Sequence, residues 1–424
     1  TSLNTNIQSA LSGLPTQTVQ YTGTDVDDLN QFLQNNTGKI VQLTQDIQVY
    51  KNTNGSFGII MVPSDTILDG NGHRLVMKAG YTEAPDVGVV LYVYKDGVIP
   101  STNCGVKNLS TDIPYVNSIN VFSADNILIE NNTLNNATKS GIMISDEYGS
   151  TVNGIIRGNT INNVGDDAIA VYGNHSNLLI DSNRISGAKG FAGIAISCLQ
   201  NGQQIRVDNE TTGPHDIIVT GNVVSGCSGE ALYCIGSYKT YITYNTLRDS
   251  ILEGVCLDSG CIGNYFAHNE VVNNGIAGGL PGVSIDNGIY NIVDSNNVYN
   301  NSCSGIKLVR TGLGNIIVNN ICTDNAYNQM GAKSSGIDIE PLAVETENLG
   351  YIDGLGSNWN VVLNNTVTGS HDFGVFIADD DTANNGGSSC ENVIMYNKFS
   401  SAYTFGAADF SSMSSTVKNN ITLN

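Results

Sequence analysis

Five short segments in the C-terminal half of the chain share one pattern of apolar and polar positions. Each begins with glycine and has apolar residues at its second and fourth positions, whereas the third and fifth positions vary and collect charge. Because successive side chains of a β-strand point to opposite faces, the apolar positions are predicted to enter a core and the variable ones to face outward. The segments are Gly254–Asp258, Gly282–Asp286, Gly305–Val309, Gly336–Glu340 and Gly374–Ala378.

The same pattern continues towards the N-terminus, which indicates a chain built from repeats. Successive segments begin 23 to 38 residues apart. Between them lies a second apolar segment that ends in asparagine, as at 127–132 and 217–222. Self-similarity at a period of about 20 to 50 residues is typical of solenoids. The upstream segments are Gly141–Ser145, Ala168–Tyr172, Gly193–Ser197 and Ala231–Ile235.

The repeats are too short for propeller blades and carry no helical period. They are rich in β-branched residues and are bounded by Gly, Asn, Ser and Asp, which favours strands and turns. These features predict an all-β parallel β-helix, in which each coil has two or three strands and coils stack at about 4.8 Å. Asparagines at the turns are expected to adopt left-handed backbone conformations and to bond to one another between coils.

The N-terminal residues follow a different pattern. Residues 25–35 have apolar side chains on one helical face and acids in the first turn, which predicts a short helix that caps the open end of the solenoid. We therefore expect residues 1–60 to form a cap with the first strands and residues 61–424 to form the β-helix, within a single domain overall. The apolar face of the predicted helix comprises Val26, Leu29, Phe32 and Leu33.

The charge balance limits the partners that this chain can have. It has 424 residues with a net charge of −21, from 18 basic and 39 acidic residues. Nucleic-acid binding requires a basic face, so that class is excluded, and binding to anionic membranes is disfavoured. No apolar run approaches the length of a membrane span. The nine cysteines form no metal-binding motif and are interpreted mainly as small core residues.

Three features together resemble the pectin-lyase-like right-handed β-helix superfamily of carbohydrate-active enzymes. They are the repeats, the segment 68–73 (LDGNGH) and the segment 165–171 (GDDAIAV), and the resemblance covers roughly residues 37–424. In the last segment, Asp166 and Asp167 resemble the paired aspartates of polygalacturonases, whereas the flanking motifs of that family are missing. The resemblance implies a right-handed β-helix that is secreted or at the cell surface and acts on an oligo- or polysaccharide.

The outward acids are the candidate catalytic residues. Asp258 and Asp286 occupy equivalent positions in successive repeats, so their Cα atoms are predicted to lie about 5 Å apart. Two carboxylates at that distance repel, which raises one pKa and produces the acid and base that glycoside cleavage needs. This spacing suits a retaining reaction, whereas Asp286 with Glu340 skips one coil and suits inversion. The candidate catalytic residues are Asp258, Asp286, Glu340, Asp338 and Glu253.

Cations and aromatic residues near the acids are the candidate substrate-binding residues. Lys307 and Arg310 are expected to hold a substrate hydroxyl or carboxylate, or to keep the acids ionised. Outward aromatic rings are either platforms for sugar rings or a cover for the wall of the solenoid. The complete set is Lys307, Arg310, Tyr233, Tyr172, Phe376, Asp167 and Glu230. No cofactor is expected, although the acidic run 379–381 is a weak candidate for calcium binding.

Three functions remain open at this level. The first is a glycoside hydrolase, or a transglycosylating relative, that uses the paired carboxylates. The second is a polysaccharide lyase or epimerase that acts on uronic acids, for which an acidic chain with few cations is a poor match. The third is a non-catalytic carbohydrate-binding β-helix, such as an adhesin or a tailspike-like module. Assembly of identical subunits side by side, as a homo-oligomer, also stays open.

Overall fold

The computed structural model describes residues 2–51, 59–94, 97–200, 203–204, 213–310, 312–326, 334–340, 357–378, 389–400, 405–410 and 415–423. The chain divides into two compact units, the first comprising residues 1–203 and 214–223 and the second residues 204–213 and 224–424. The division predicted at residue 60 stays a prediction. The long intervals between repeats after Ser197, Glu340 and Ala378, which the sequence predicts as loops, lie largely outside the described residues, as does the acidic run 379–381.

The first unit is a stack of coils whose parallel strands form three sheets, named A, B and C. Sheet A contains Thr18–Tyr21, Ile40–Leu43, Ile67–Asp69, Thr102–Lys107, Asp125–Glu130, Val152–Arg157, Ser176–Asp181 and His215–Thr220. Sheet B contains Ile47–Val49, Arg74–Met77, Ser110–Thr111, Thr133–Asn135, Thr160–Asn162 and Arg184–Ser186. Sheet C contains Ile60–Met61, Val87–Val90, Asn117–Phe122, Ile142–Ser145, Ile169–Tyr172 and Ile194–Ser197.

Additional short elements accompany these sheets. The strands Tyr92–Tyr94 and Val98–Pro100 form an antiparallel hairpin. Two further strands are Leu199–Gln200 and Gln203–Gln204, and the strand Val223–Ser225 falls at the boundary between the two units.

The predicted capping helix is confirmed as Val26–Asn35. The side chain of Asp25 accepts a hydrogen bond from the backbone N–H of Asp27 at 2.9 Å, which caps the first turn. Val26, Leu29 and Leu33 are fully buried. They lie on the helix face that packs against the first strands of sheets B and C, Ile47–Val49 and Ile60–Met61.

A second helix, Ser2–Ala10, continues as a 3₁₀ turn at Leu11–Gly13 and was not predicted. Its apolar side chains, Ile7 and Leu11, pack with Ile155, Leu179 and Ile218. These three residues lie in the middle of sheet A strands, each within a run of three buried residues. The run leaves one apolar side chain facing outward, and the helix covers it.

The second unit repeats the three-sheet arrangement with every described pairing parallel. Sheet A contains Tyr238–Thr243, Tyr265–Ala267, Ile292–Asp294, Ile316–Val318, Val361–Leu363, Val393–Met395 and Thr416–Lys418. Sheet B contains Thr246–Arg248, Glu270–Val272, Asn297–Tyr299, Ile321–Thr323, Thr366–Thr368, Lys398–Ser400 and Ile421–Leu423. Sheet C contains Leu232–Ile235, Val255–Asp258, Val283–Asp286, Ile306–Val309, Ser335–Glu340, Phe373–Ala378 and Phe405–Phe410.

The predicted alternation of faces in sheet C is confirmed. The second and fourth positions of the repeat are fully buried in the interior of the coil, as Val255, Leu257, Val283 and Ile285 illustrate. The register pairs Leu257 with Ile285 and Ile285 with Leu308. Equivalent positions therefore stack from one coil to the next, as the sequence pattern required.

Stacked asparagines join the coils of the second unit inside its turns, also as predicted. In the longest ladder each side-chain N–H donates to the side-chain oxygen of the next asparagine at 3.0 Å, and each oxygen also accepts a backbone N–H from the previous coil. The left-handed backbone expected of these asparagines lies instead at the residue before each of them, such as Tyr244 or Asn319, so that part of the prediction was wrong. The ladder comprises Asn245, Asn269, Asn296, Asn320, Asn365, Asn397 and Asn420.

Removal of one ladder side chain should destabilise the second unit. In Asn296→Ala the buried N–H of Asn269 and the carbonyl of Phe266 lose their partner, which should lower the free energy of unfolding by about 2 kcal/mol or more. Asn297→Ala, at the exposed neighbouring position, should change it by less than about 0.5 kcal/mol. Urea unfolding followed by circular dichroism measures both, and equal effects would contradict this role for the ladder.

Candidate active site

The predicted acids of the second unit lie on one face of sheet C. Asp258 and Asp286 follow Leu257 and Ile285, which pair directly, so the two acids occupy equivalent positions on adjacent coils. In the next two coils this position is held by Val309 and Glu340. The prediction that Asp286 and Glu340 are separated by one coil is therefore confirmed.

The acidic side chains are largely buried, although the sequence pattern predicted that they face outward on the surface. The side chain of Asp338 is 1% exposed, that of Glu340 12% and that of Asp286 18%. Outward direction alone therefore does not expose a side chain here. Charges in such surroundings interact more strongly than charges in water, so this face is not an ordinary solvated surface.

Asp258 is held in place by three hydrogen bonds. The Tyr233 hydroxyl donates to Oδ2 at 2.7 Å, and the backbone N–H and hydroxyl of Ser259 donate to Oδ1 at 2.6 and 2.7 Å. Burial and the neighbouring Asp258 carboxylate raise the pKa of Tyr233, so the phenol keeps its proton and remains a donor. Together the three donors fix the orientation of the Asp258 carboxyl group.

Asp286 differs from Asp258 in that its surroundings raise its pKa. Burial raises its pKa from 3.8 to about 7, and the Asp258 carboxylate contributes in the same direction. Arg310 and Lys307 oppose this rise, and the Arg310 guanidinium lies 3.3 Å from Asp286 Oδ1. Asp286 therefore holds a proton near neutral pH beside an oriented carboxylate.

Two further acids, Glu230 and Glu253, precede their sheet C strands and complete an acid cluster with Asp258 and Asp286. Burial, together with the smaller effects of Glu230, Asp286 and Asp258, raises the pKa of Glu253 from 4.5 to about 7. Burial and Asp258 also raise the pKa of Glu230. Glu230, Glu253 and Asp286 thus share raised pKa values within one cluster.

Lys307 forms a separate ionic network on the next coils. Its Nζ lies 3.2 Å from Asp338 Oδ2 and donates to Glu340 Oε2 at 3.0 Å. Burial lowers the pKa of Lys307, but the two carboxylates outweigh that effect and hold it above its ordinary value. Lys307 is therefore charged and engaged by acids of this chain.

The remaining predicted residues lie elsewhere. Asp167 and Tyr172 belong to the first unit, where the Tyr172 hydroxyl and the Ala192 N–H donate to the fully buried Asp167 carboxylate. Phe376 is buried and packs on Phe373 and Phe410, with ring centroids 5.1 and 5.4 Å away. As a wall residue it offers no open face to a sugar ring, and the other substrate-binding assignments stay predictions.

Sequence reasoning missed Ser259, which supplies two of the three bonds to Asp258. A serine directly after an acid at a strand end was the available signal. No group of His, Cys, Asp or Glu within the described ranges has the geometry of a metal site. The described helices include none that is long and apolar enough to cross a membrane.

Comparison with known proteins supports the fold that the sequence predicted. Residues 92–212 match a family model described as a right-handed β-helix region. The tailspike protein of Escherichia coli bacteriophage HK620, solved as a mutant with a bound hexasaccharide, is similar with a TM-score of 0.55 at 15% identity, over 94% of this chain and 73% of that chain. A double mutant of the same tailspike with a bound pentasaccharide gives 0.55 and 15%, over 94% and 74%.

The A-module of the mannuronan C-5 epimerase AlgE6 from Azotobacter vinelandii has a TM-score of 0.49 at 15% identity, over 95% of this chain and 100% of that module. No curated protein sequence matches this chain significantly. At such low identity the structural similarities establish the fold alone. The chain is thus a right-handed parallel β-helix protein, and the comparisons define no narrower family.

The raised pKa of Glu253 predicts a specific pH dependence of stability. Because the folded-state pKa is about 7 and the ordinary value is 4.5, the native protein binds this proton more tightly than the unfolded chain. The stability of the parent should fall as pH rises between those values. Glu253→Gln should match the parent at pH 4 and exceed its free energy of unfolding by about 1–3 kcal/mol at pH 8.

Urea unfolding of parent and variant at pH 4, 6 and 8 measures this difference. Glu83→Gln, at an exposed position of the first unit, is the matched control and should follow the parent at every pH. A Glu253→Gln difference that does not change with pH would contradict the buried, proton-holding state.

Proposed function

We propose that this protein is a glycoside hydrolase, or a transglycosylating relative, that cleaves an oligo- or polysaccharide at the acid cluster. The proposal rests on the contrast between the surroundings of Asp286 and Asp258, which lie on adjacent coils. Asp286 has a pKa of about 7, whereas Asp258 accepts three hydrogen bonds on the adjacent coil. A carboxyl group that holds its proton beside a second, oriented carboxyl group is the pairing that glycoside cleavage uses.

In the proposed reaction Asp286 is the general acid. It donates its proton to the glycosidic oxygen as the bond to the anomeric carbon breaks, so that the leaving sugar departs as an alcohol. Asp258 is the second carboxylate, which either bonds to the anomeric carbon or accepts a proton from the attacking water. Tyr233 and Ser259 position Asp258, and Arg310 keeps the pKa of Asp286 from rising further.

The state of the cations favours hydrolysis over the lyase or epimerase alternative. A uronate substrate needs a cation to neutralise its carboxylate in the transition state. Lys307 is already paired with Asp338 and Glu340. Since this cation is engaged by two acids of the chain itself, a substrate without carboxylates fits this face better.

The comparisons are compatible with a carbohydrate ligand. A tailspike with the same fold was solved with a hexasaccharide bound. We extend that ligand class to this chain as part of the proposal, together with a secreted or cell-surface location. A carbohydrate-binding module without turnover is the competing outcome that the experiment below separates.

The test is an activity screen on neutral and uronic oligosaccharides, with products read by mass spectrometry. We expect products that gain one water, with activity that declines above about pH 7 as Asp286 loses its proton. Asp286→Asn and Asp258→Asn should each lower kcat by about 100-fold or more. Glu270→Gln, which removes a carboxylate from sheet B of the same unit, should keep parental activity.

Three results would count against the proposal. Unsaturated products would indicate elimination, and binding without any product would indicate a non-catalytic module. Full activity in both Asp258→Asn and Asp286→Asn would move the chemistry away from the acid cluster.

A further inference from the structure

One corner of the second unit carries large aromatic residues at a position that favours glycine. The corner lies between sheets C and A. It directly precedes a second ladder of hydrogen-bonded asparagines, which comprises Asn264, Asn291, Asn315, Asn360 and Asn392. Backbone hydrogen bonds run from Gly263 to Ile289, from Tyr290 to Leu313 and from Gly314 to Asn358, so the corners of successive coils are equivalent. The residues at this position are Gly263, Tyr290, Gly314, Trp359 and Glu391.

The backbone at this corner is left-handed, with φ of 57° at Tyr290 and 58° at Trp359. Bulky residues are rare in that region because the Cβ atom approaches the following carbonyl oxygen. Gly263 and Gly314 occupy the same corner in alternate coils, with φ of 63° and 60°. The fold therefore does not need an aromatic side chain here, and the two rings persist at a cost in stability.

Both rings are fixed in place and open to solvent. A Cβ atom on Gly314 would lie 2.6 Å from Cδ1 and Cε1 of Tyr290, so glycine leaves the space that this ring occupies. The Trp359 indole N–H donates to the Glu391 carboxylate on the next coil. Tyr290 is 65% exposed and Trp359 53% exposed. An immobilised ring with an open face loses little conformational freedom when a ligand stacks on it.

We infer that Tyr290 and Trp359 form an aromatic strip that binds the sugar rings of an uncharged glycan outside the acid cluster. The rings are two coils apart, or roughly 10 Å along the solenoid axis, a distance that a disaccharide unit spans. Tyr290 follows Asp286 by four residues, so the strip borders the sheet that carries the acids. Glu391 and the net charge of −21 disfavour anionic glycans. The inference rests on the proposed carbohydrate ligand but not on catalysis.

The single tryptophan of the chain makes the strip directly measurable. In an Asp286→Asn background, neutral hexasaccharides of glucose, xylose, mannose and N-acetylglucosamine are titrated while Trp359 fluorescence is recorded. At least one should change the emission and protect Trp359 from acrylamide quenching. Tyr290→Asn should weaken that binding about tenfold or more, whereas Tyr290→Phe should retain it.

Stability provides an independent readout of the same variant. Asparagine tolerates left-handed backbone, so Tyr290→Asn should unfold at an equal or higher urea concentration than the parent. Tyr396→Asn is the matched control, since Tyr396 is 50% exposed with a φ of 57° at a different corner. It should leave glycan binding unchanged.

The outcomes separate this inference from the proposed function. If the parent binds a glycan at Trp359 but does not cleave it, the proposed hydrolase function is refuted, whereas the aromatic strip is supported. No fluorescence response to any hexasaccharide at millimolar concentration, or equal binding by Tyr290→Asn and the parent, would overturn the strip whatever the catalytic result. A uronic hexasaccharide that binds better than every neutral one would overturn the uncharged ligand class.

Discussion

Hydrogen bonds between stacked asparagine side chains set the register of one coil against the next, and the rest of the second unit depends on that register. Each ladder amide bonds both to the next amide and to a backbone carbonyl inside the turn. A slip of one residue would turn Asp258 and Asp286 inward and bring Leu257 and Ile285 outward. The same bonds that stabilise the solenoid therefore place two carboxylates on adjacent coils, which is the basis of the proposed chemistry.

Burial then separates the properties of acids that look alike in the sequence. Asp258 accepts hydrogen bonds from Tyr233 and Ser259, whereas burial and neighbouring carboxylates raise the pKa values of Asp286 and Glu253. Burial of several carboxyl groups in one cluster costs stability, and strongly shifted pKa values are common at functional sites. The left-handed backbone at Tyr290 and Trp359 is a second local cost in stability, and it lies at the corner that follows sheet C.

The sequence predicted the features that depend on periodicity. Alternation at Val255 and Leu257 predicted the interior face, and equivalent positions in successive repeats predicted the adjacency of Asp258 and Asp286. Exposure could not be predicted in the same way, because the burial of a residue such as Asp338 depends on tertiary packing that periodicity does not encode. The helix Ser2–Ala10 was missed because its partners, such as Ile155 and Leu179, are distant in sequence and read as continuous apolar runs. Ser259 was missed because a serine in a turn carries no periodic signal.

The central claim is that the acid cluster adds water to a glycosidic bond. Digestion of the responsive oligosaccharide in oxygen-18 water, followed by mass spectrometry of the products, tests it most directly. With a substrate whose reducing end has been converted to an alditol and products analysed at once, the account predicts one labelled oxygen at the newly formed anomeric carbon, and labelling slower by about 100-fold or more in Asp286→Asn. Unlabelled, unsaturated fragments from the parent would contradict it, because they would show that the bond is broken by elimination.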